Sequence, residues 1–275
     1  MNEDRAALRS KLKQCVYKGG EMILAAFGGG FKIAEKEGIN NLVTEVDQAV
    51  EKTVTDMILA DFPEHFILGE EYRSERPENA DYLWILDPID GTVNFAHGIP
   101  LCCISLALLH NDELILGAVY NPMMDEFFFA EKGAGATLNG EPIRVSSKSD
   151  FSHACLVTGF PYAWNEGDGP HPVDVFGHFV KQGLPIRRLG SAALDLCWVA
   201  AGRFDGFWEY NLSPWDIAAG YLLVAEAGGK ITNFSGAPAT VFDRQTLATN
   251  GHIHAPMQAQ IQSLFDPYFS GKTNG

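Results

Sequence analysis

Trp84-Ile85-Leu86-Asp87-Pro88-Ile89-Asp90-Gly91-Thr92-Val93-Asn94-Phe95 is the stretch around which the rest of the chain falls into order. It opens as an apolar strand over 82–86, and that strand is expected to stop at Asp87. Pro88 has no backbone N–H to give a central ladder, so it sets a turn. A helix is expected to begin at Asp90-Gly91-Thr92. Two carboxylates three positions apart across such a turn can converge on one point. Gly91 lets the backbone come close to a ligand, and the N–H groups of Gly91 and Thr92 at a helix start can hold an anion. Acids repel phosphate, so the pattern makes chemical sense with a divalent cation between them, which reverses the local sign. Oxygen donors select Mg²⁺, Mn²⁺ or Ca²⁺. No His or Cys lies near these acids at zinc-ligand spacing. An isolated Asp-Pro-x-Asp also reads as a turn with an aspartate helix cap, so the decision rests on other parts of the chain.

Two further acidic sites supply it. Phe66-Ile67-Leu68-Gly69-Glu70-Glu71 is a second apolar strand that ends in acids. Of the pair, Glu71 reads as a solvated neighbour of Glu70. Ser213-Pro214-Trp215-Asp216 opens a helix whose body is Ile217, Ala218, Ala219, Leu222, Leu223 and Val224. Taken singly, Asp216 is a first-turn acid matched to the helix dipole. Asp47, early in a helix expected over 44–61, would be equally plain alone. That helix is expected to be capped at Thr44 and to bury Val46, Val50, Val54, Met57 and Ile58.

Around these sites the periodicity separates two halves. An amphipathic helix is expected over 3–27, burying Leu8, Leu12, Val16, Ile23, Leu24 and Phe27 and stopped by Gly28-Gly29-Gly30. Short apolar runs at 65–69, 82–86, 101–109, 114–120 and 126–131 read as strands, with hairpin turns at Asn121-Pro122 and Asn139-Gly140. After 150 the pattern alternates. Strands are expected at 154–159, 204–209 and 245–249, and helices at 172–182, 191–202, 214–228 and 255–265. The expectation is therefore one domain over 1–270, with an N-terminal α+β half (about 1–148) and a C-terminal α/β half (about 149–270) layered helix on sheet.

Composition agrees with a globular chain. Of 275 residues, 46% are apolar and 20% charged, enough to bury about three quarters of the unfolded surface. Twenty Lys/Arg stand against 35 Asp/Glu, a net charge of −15. Residues 1–150 hold 25 of the acids against 13 bases. Such a field opposes nucleic acid and anionic membranes and attracts cations. The five cysteines, Cys15, Cys102, Cys103, Cys155 and Cys197, form no CxxC and read as buried thiols. Cys102 and Cys103 are expected on opposite faces of one strand. No apolar run reaches 18 residues, and the N-terminal stretch lacks the apolar centre of a signal peptide. A cytoplasmic chain is the expectation.

The set Gly69-Glu70-Glu71, Asp87-Pro88-Ile89-Asp90-Gly91-Thr92 and Trp215-Asp216, in this order, resembles the inositol monophosphatase family of Mg²⁺-dependent, lithium-sensitive phosphomonoesterases. The resemblance runs from Leu42-Val43-Thr44-Glu45-Val46-Asp47 to Glu226-Ala227-Gly228-Gly229. It implies the layered αβαβα sandwich of the sugar-phosphatase type, an α+β fold. It implies a first Mg²⁺ on Glu70, Asp87 and the carbonyl of Ile89, and a second on Asp87, Asp90 and Asp216. A third, weaker cation would lean on Glu70, and Mn²⁺ is an alternative metal. Thr92, positioned by Asp47, would orient and help deprotonate the attacking water. Asp90, Gly91 and Thr92 would cradle the phosphate, and the sugar or polyol would meet Gly190, Ser191, Ala192, Glu209 and Asp216. A threonine hydroxyl is no base alone, but hydrogen-bonded to a carboxylate it can relay a proton. Direct hydrolysis with inversion at phosphorus follows, with no phospho-enzyme. Lys36, in a charged segment before the Asp47 helix, is a loop cation placed to close over the site; the plain alternative is a solvated lysine.

Several features bear on the partner. A carboxylate acceptor at Glu209 suits a polyol, whereas a strand-end acid facing water is the plain alternative. Ser191 also reads as a helix cap. Asn41 and Ser213 depart from the pattern of many family members, and Thr158-Gly159-Phe160-Pro161-Tyr162 and Gly206-Phe207-Trp208-Glu209 look like bacterial ones. That opens fructose 1,6-bisphosphate, histidinol phosphate or a 3′-phosphoadenosine nucleotide as substrates beside inositol monophosphate. Arg187-Arg188 reads first as a surface pair, or else as a second-phosphate contact. Some bacterial relatives associate with the transcription machinery, so a regulatory protein-binding role is the reading from another class. The resemblance also implies a homodimer.

Overall fold

The computed structural model describes residues 4–35, 42–72, 80–161, 164 and 169–269, the side chains of 35 and 267–269 excepted. Lys36 lies outside the described residues.

The chain opens with helix α1 (Arg5–Ala26), capped by the Asp4 side chain, which accepts the N–H of Ala6 at 2.9 Å. A short ribbon of β1 (Ile33–Glu35) and β2 (Leu42–Thr44) leads into helix α2 (Glu45–Asp61). Leu8, Leu12, Val16 and Ile23 of α1 and Val50, Val54 and Ile58 of α2 are fully buried. Leu24 is half exposed, contrary to the sequence expectation, because its position falls outside the arc that meets the sheet.

These helices cover one face of a seven-stranded sheet. Its strands are β3 (Phe66–Gly69), β4 (Tyr82–Asp90), β5 (Cys103–His110), β6 (Glu113–Asn121), β7 (Glu126–Glu131), β8 (Gly135–Leu138) and β9 (Glu141–Pro142), ordered in space as in sequence. Only the β3–β4 pair is parallel; the others are antiparallel. Successive residues of β4 and β5 fall alternately into two cores. Trp84, Leu86, Ile104 and Leu106 pack under α1 and α2, while Leu83, Ile85, Cys103 and Ala107 face the opposite way. Both faces being covered explains the near-continuous apolar runs in these strands. Cys102 and Cys103 join different cores, as their adjacency implied.

Strand β4 does not stop at Asp87; it runs through Pro88 to Asp90. Two local breaks make this possible. The ladder with β3 ends at the Gly69–Leu86 pair, and the register with β5 shifts between Asp87 and Asp90. Pro88 thus sits in an irregularity where its missing N–H is not needed.

The far face of the seven-stranded sheet packs on α5 (Ala192–Ala200) and α6 (Pro214–Glu226). Beyond them lies a five-stranded mixed sheet in the order β11 (Ile186–Arg187), β10 (Leu156–Thr158), β12 (Gly206–Tyr210), β14 (Gln245–Thr249) and β13 (Lys230–Thr232). Its outer face holds α4 (Pro172–Val180) and α7 (His254–Phe269) through Phe179, Trp208, Met257, Ile261 and Phe265. The layers run α, β, α, β, α. The five-residue helix α3 (Thr92–Ala96) follows β4 directly. Among the described residues no helix is long and apolar enough to cross a membrane.

Candidate metal and phosphate site

The layering brings three chain segments to one end of the large sheet. Because β3 and β4 run parallel with Gly69 opposite Leu86, the next residues, Glu70 and Asp87, leave adjacent strand ends together. Asp90 closes β4. Asp216 arrives from the first turn of α6, where the N–H of Ser213 donates to its Oδ2 at 2.7 Å. Asp87, Asp90 and Asp216 each offer a carboxylate oxygen within 4.8 Å of the others.

These acids are out of water, and that sets their electrostatics. Burial pushes the Asp87 carboxyl well above the usual carboxylate range, and the charges of Glu70, Asp90, Asp216 and Asp47 push it further. Asp216 is raised well above its ordinary value by burial and by Asp90. Burial raises Asp90 too, against the hydrogen bonds of Ser191 and Ala193 that hold its charge. Asp87 Oδ1 is buried without a hydrogen-bond partner. A buried, unpaired carboxylate oxygen in a cluster of acids costs several kcal/mol unless a cation or a proton meets it. An all-oxygen donor set of this kind fits a hard divalent cation.

Asp47 and Thr92 meet across the site. Thr44 caps α2, its hydroxyl accepting the N–H groups of Val46 and Asp47 at 3.2 and 3.4 Å, and Asp47 answers by accepting the Thr44 N–H at 2.8 Å on Oδ2. The other carboxylate oxygen, Oδ1, lies 3.2 Å from Thr92 Oγ1. The same hydroxyl lies 2.9 Å from the carbonyl of Ile89. One hydroxyl proton therefore has two acceptors, a carboxylate and a carbonyl.

The backbone here needs glycine. Gly91 has φ +90°, and a Cβ there would sit 2.8 Å from the carbonyl oxygen of Leu101. Gly190 has φ +89° and would meet Arg188 Nη1 at 2.8 Å. No side chain caps α3. Ser191 caps α5, its hydroxyl accepting the Leu194 N–H at 3.4 Å while donating to Asp90 Oδ2 at 2.5 Å. The Ala193 N–H reaches the same oxygen at 2.8 Å.

One pocket is lined by Asp90, Arg188, Ser191, Asp195, Glu209 and Asp216. It also takes in Gly91, Gly190 and Ala192, so the residues singled out for sugar contact meet in one place. Glu209, on β12, is buried, and burial pushes its carboxyl up to about 8 against the opposing charge of Arg188. Arg187 is exposed. Arg188 is also exposed, but it lines the pocket, its guanidinium carbon 6.0 Å from the centre of the Phe160 ring. Both arginines are thus at the surface, as the surface-pair reading expects, and Arg188 in addition borders the pocket. His254 is buried between Thr232 and Thr249, on the second sheet.

Two acids of this region went unread in the sequence. Glu51, buried on α2, accepts the N–H groups of Glu71 and Tyr72 at 2.9 and 2.7 Å and so ties down the chain just after Glu70. Its spacing from Val50, Val54 and Ile58 already put it on the buried stripe. Asp195 is the only charged residue in Ala192–Ala200, an otherwise apolar helix.

Comparison with known proteins agrees with this geometry. The model of the inositol monophosphatase family matches residues 4–265. The chain is 41% identical over 238 residues to a protein of Pseudomonas aeruginosa named Nus factor SuhB, covering 86% of this chain and 88% of that one. It is 41% identical over 241 residues to the fructose-1,6-bisphosphatase/inositol-1-monophosphatase of Thermotoga maritima, covering 86% and 89%. The solved structure of a Thermotoga maritima IMPase superposes with a TM-score of 0.85 at 36% identity, covering 96% of this chain and 99% of that one.

Proposed function

The chain belongs to the inositol monophosphatase family of metal-dependent phosphomonoesterases, and from that premise we propose that it hydrolyses the phosphate ester of inositol or a similar polyol by direct attack of water. The observation that carries the reading is Asp87, whose Oδ1 is buried and unpartnered beside Asp90 and Asp216 and under the added charge of Glu70 and Asp47. Glu70, Asp87, the Ile89 carbonyl, Asp90 and Asp216 are the residues that would hold two or three Mg²⁺ ions. Bound there, the cations supply Lewis-acid charge to a phosphoryl group that the bare acids would repel.

The chain's own groups do the rest. Thr92 Oγ1 orients the attacking water and takes its proton as its own passes to Asp47 Oδ1, 3.2 Å away. Asp47 is pinned for this by Thr44. The backbone at Gly91 and Thr92 faces the phosphate, and the positive φ of Gly91 gives it that course. As the P–O bond to the alcohol breaks, a solvent water protonates the leaving alkoxide and the proton held on Asp47 returns to solvent, so that inorganic phosphate and the free polyol result. Glu209 meets hydroxyls of the polyol in the pocket it shares with Asp90 and Asp216.

Phosphate release from myo-inositol 1-phosphate, with and without Mg²⁺ and with Li⁺ added, tests the reading. Release that requires Mg²⁺ and is suppressed by Li⁺ is the expected result. Mg²⁺-dependent release confined to fructose 1,6-bisphosphate, histidinol phosphate or a 3′-phosphoadenosine nucleotide would move the substrate. No release from any of them would overturn the enzymatic reading. A protein-binding role is the second reading, supported by the name of the Pseudomonas relative. Capture of the same partners by wild type and Asp87→Asn would mark that role as separate from catalysis. A homodimer is the proposed assembly, to be checked by sedimentation.

A further inference from the structure

We propose that Asp195 is a specificity-determining residue that receives a hydroxyl of the alcohol half of the substrate, opposite the phosphate and beside Glu209. The inference rests on the polyol-phosphate reading above and adds a residue and a chemical preference to it.

Asp195 sits in the first turn of α5, where an acid ordinarily serves the helix start. That work is already done by others. The Leu194 N–H goes to Ser191 Oγ, the Ala193 N–H to Asp90, and the Asp195 N–H to the Ser191 carbonyl at 3.0 Å. Capping therefore leaves the carboxyl of Asp195 unexplained. The side chain is 1% exposed, lines the pocket that holds Asp90, Glu209 and Asp216, and its Oδ1 has no hydrogen-bond partner.

A buried acceptor without a donor is costly, and an otherwise apolar helix would be better served there by leucine. The neighbours indicate which donor is missing. Glu209 is the strongest charge acting on Asp195, and Arg188 opposes both. Two carboxyls in one pocket wall can each take a hydroxyl proton, so the wall suits an alcohol with two or more hydroxyls, a cyclitol or sugar, over an aryl or alkyl group. A site built to bind hydroxyls discriminates against an analogue without them, because its polar groups are then left unpaired.

The test is the ratio of kcat/KM for myo-inositol 1-phosphate to that for phenyl phosphate, which carries no hydroxyl. In the Mg²⁺-loaded enzyme, Asp195→Ala lowers this ratio roughly tenfold or more, mainly through KM of the inositol ester, and Asp195→Asn, which keeps an acceptor oxygen, recovers part of it. Isothermal titration with free myo-inositol shows the same order of affinities. A ratio unchanged in Asp195→Ala, with both substrates falling together or neither moving, overturns the proposal and leaves the polyol reading standing. A wild-type enzyme that prefers phenyl phosphate overturns the polyol reading and this inference with it. Thermal melting of both variants separates a folding defect, which would not move the ratio.

Discussion

Single residues carry most of the site's character, and burial is what makes them informative. Glu209 is lifted from an ordinary value near 4.5 to about 8, chiefly by loss of water, and Asp87, Asp195 and Asp216 move the same way. A carboxyl raised in the folded state keeps a proton that the unfolded chain surrenders. Its contribution to stability is full below pH 4.5 and drains away as pH climbs to about 8. Protein stripped of divalent cations is thus expected to melt at progressively lower temperature between pH 5 and pH 8, and Glu209→Gln to flatten that slope. Calorimetry in chelator across this range checks it; a melting temperature that rises with pH would contradict it. At this scale the sequence was legible where acids fall at strand ends and helix starts, as at Asp87, Asp90 and Asp216. It was opaque for Asp195, since a lone acid in an apolar helix reveals its use only when the facing wall is known. Lys36 lies outside the described residues.

At the scale of elements, close approach matters more than propensity. Gly91 joins β4 to α3 at φ +90°, with the Leu101 carbonyl 2.8 Å from where a Cβ would be and the Gly190 carbonyl at 3.2 Å. Gly91→Ala is expected to cost about 1–3 kcal/mol of stability through strain and displacement of these carbonyls, and to lower turnover by shifting Thr92 from Asp47. Urea unfolding beside steady-state kinetics measures both effects. The main strands and helices were readable from periodicity because they are long and buried on defined faces. Pro88 misled the reading of β4: proline excludes a ladder hydrogen bond, but here the β3 ladder has already ended and the β5 register shifts. The two- and three-residue strands β11 and β13 offer too few positions for any period to show.

For the whole molecule, the middle layer decides cooperativity. α5 and α6 share one core with Leu83, Ile85 and Val119 of the large sheet and Val157, Phe207 and Ala248 of the smaller one. We propose that the two halves fold as one unit on this account, and expect a single calorimetric transition whose van't Hoff and calorimetric enthalpies agree; two resolved transitions would contradict it. Mg²⁺ at a hundred times its dissociation constant should add about 2.7 kcal/mol per site. The cluster of buried acids accounts for that stabilisation. The measurement that tests the account most directly is phosphate release from myo-inositol 1-phosphate by wild type and Asp87→Asn across a Mg²⁺ titration. The account predicts release that vanishes in chelator, saturates with Mg²⁺ and falls roughly a thousandfold in the variant. Release that persists in chelator, or that Asp87→Asn leaves intact, would contradict it.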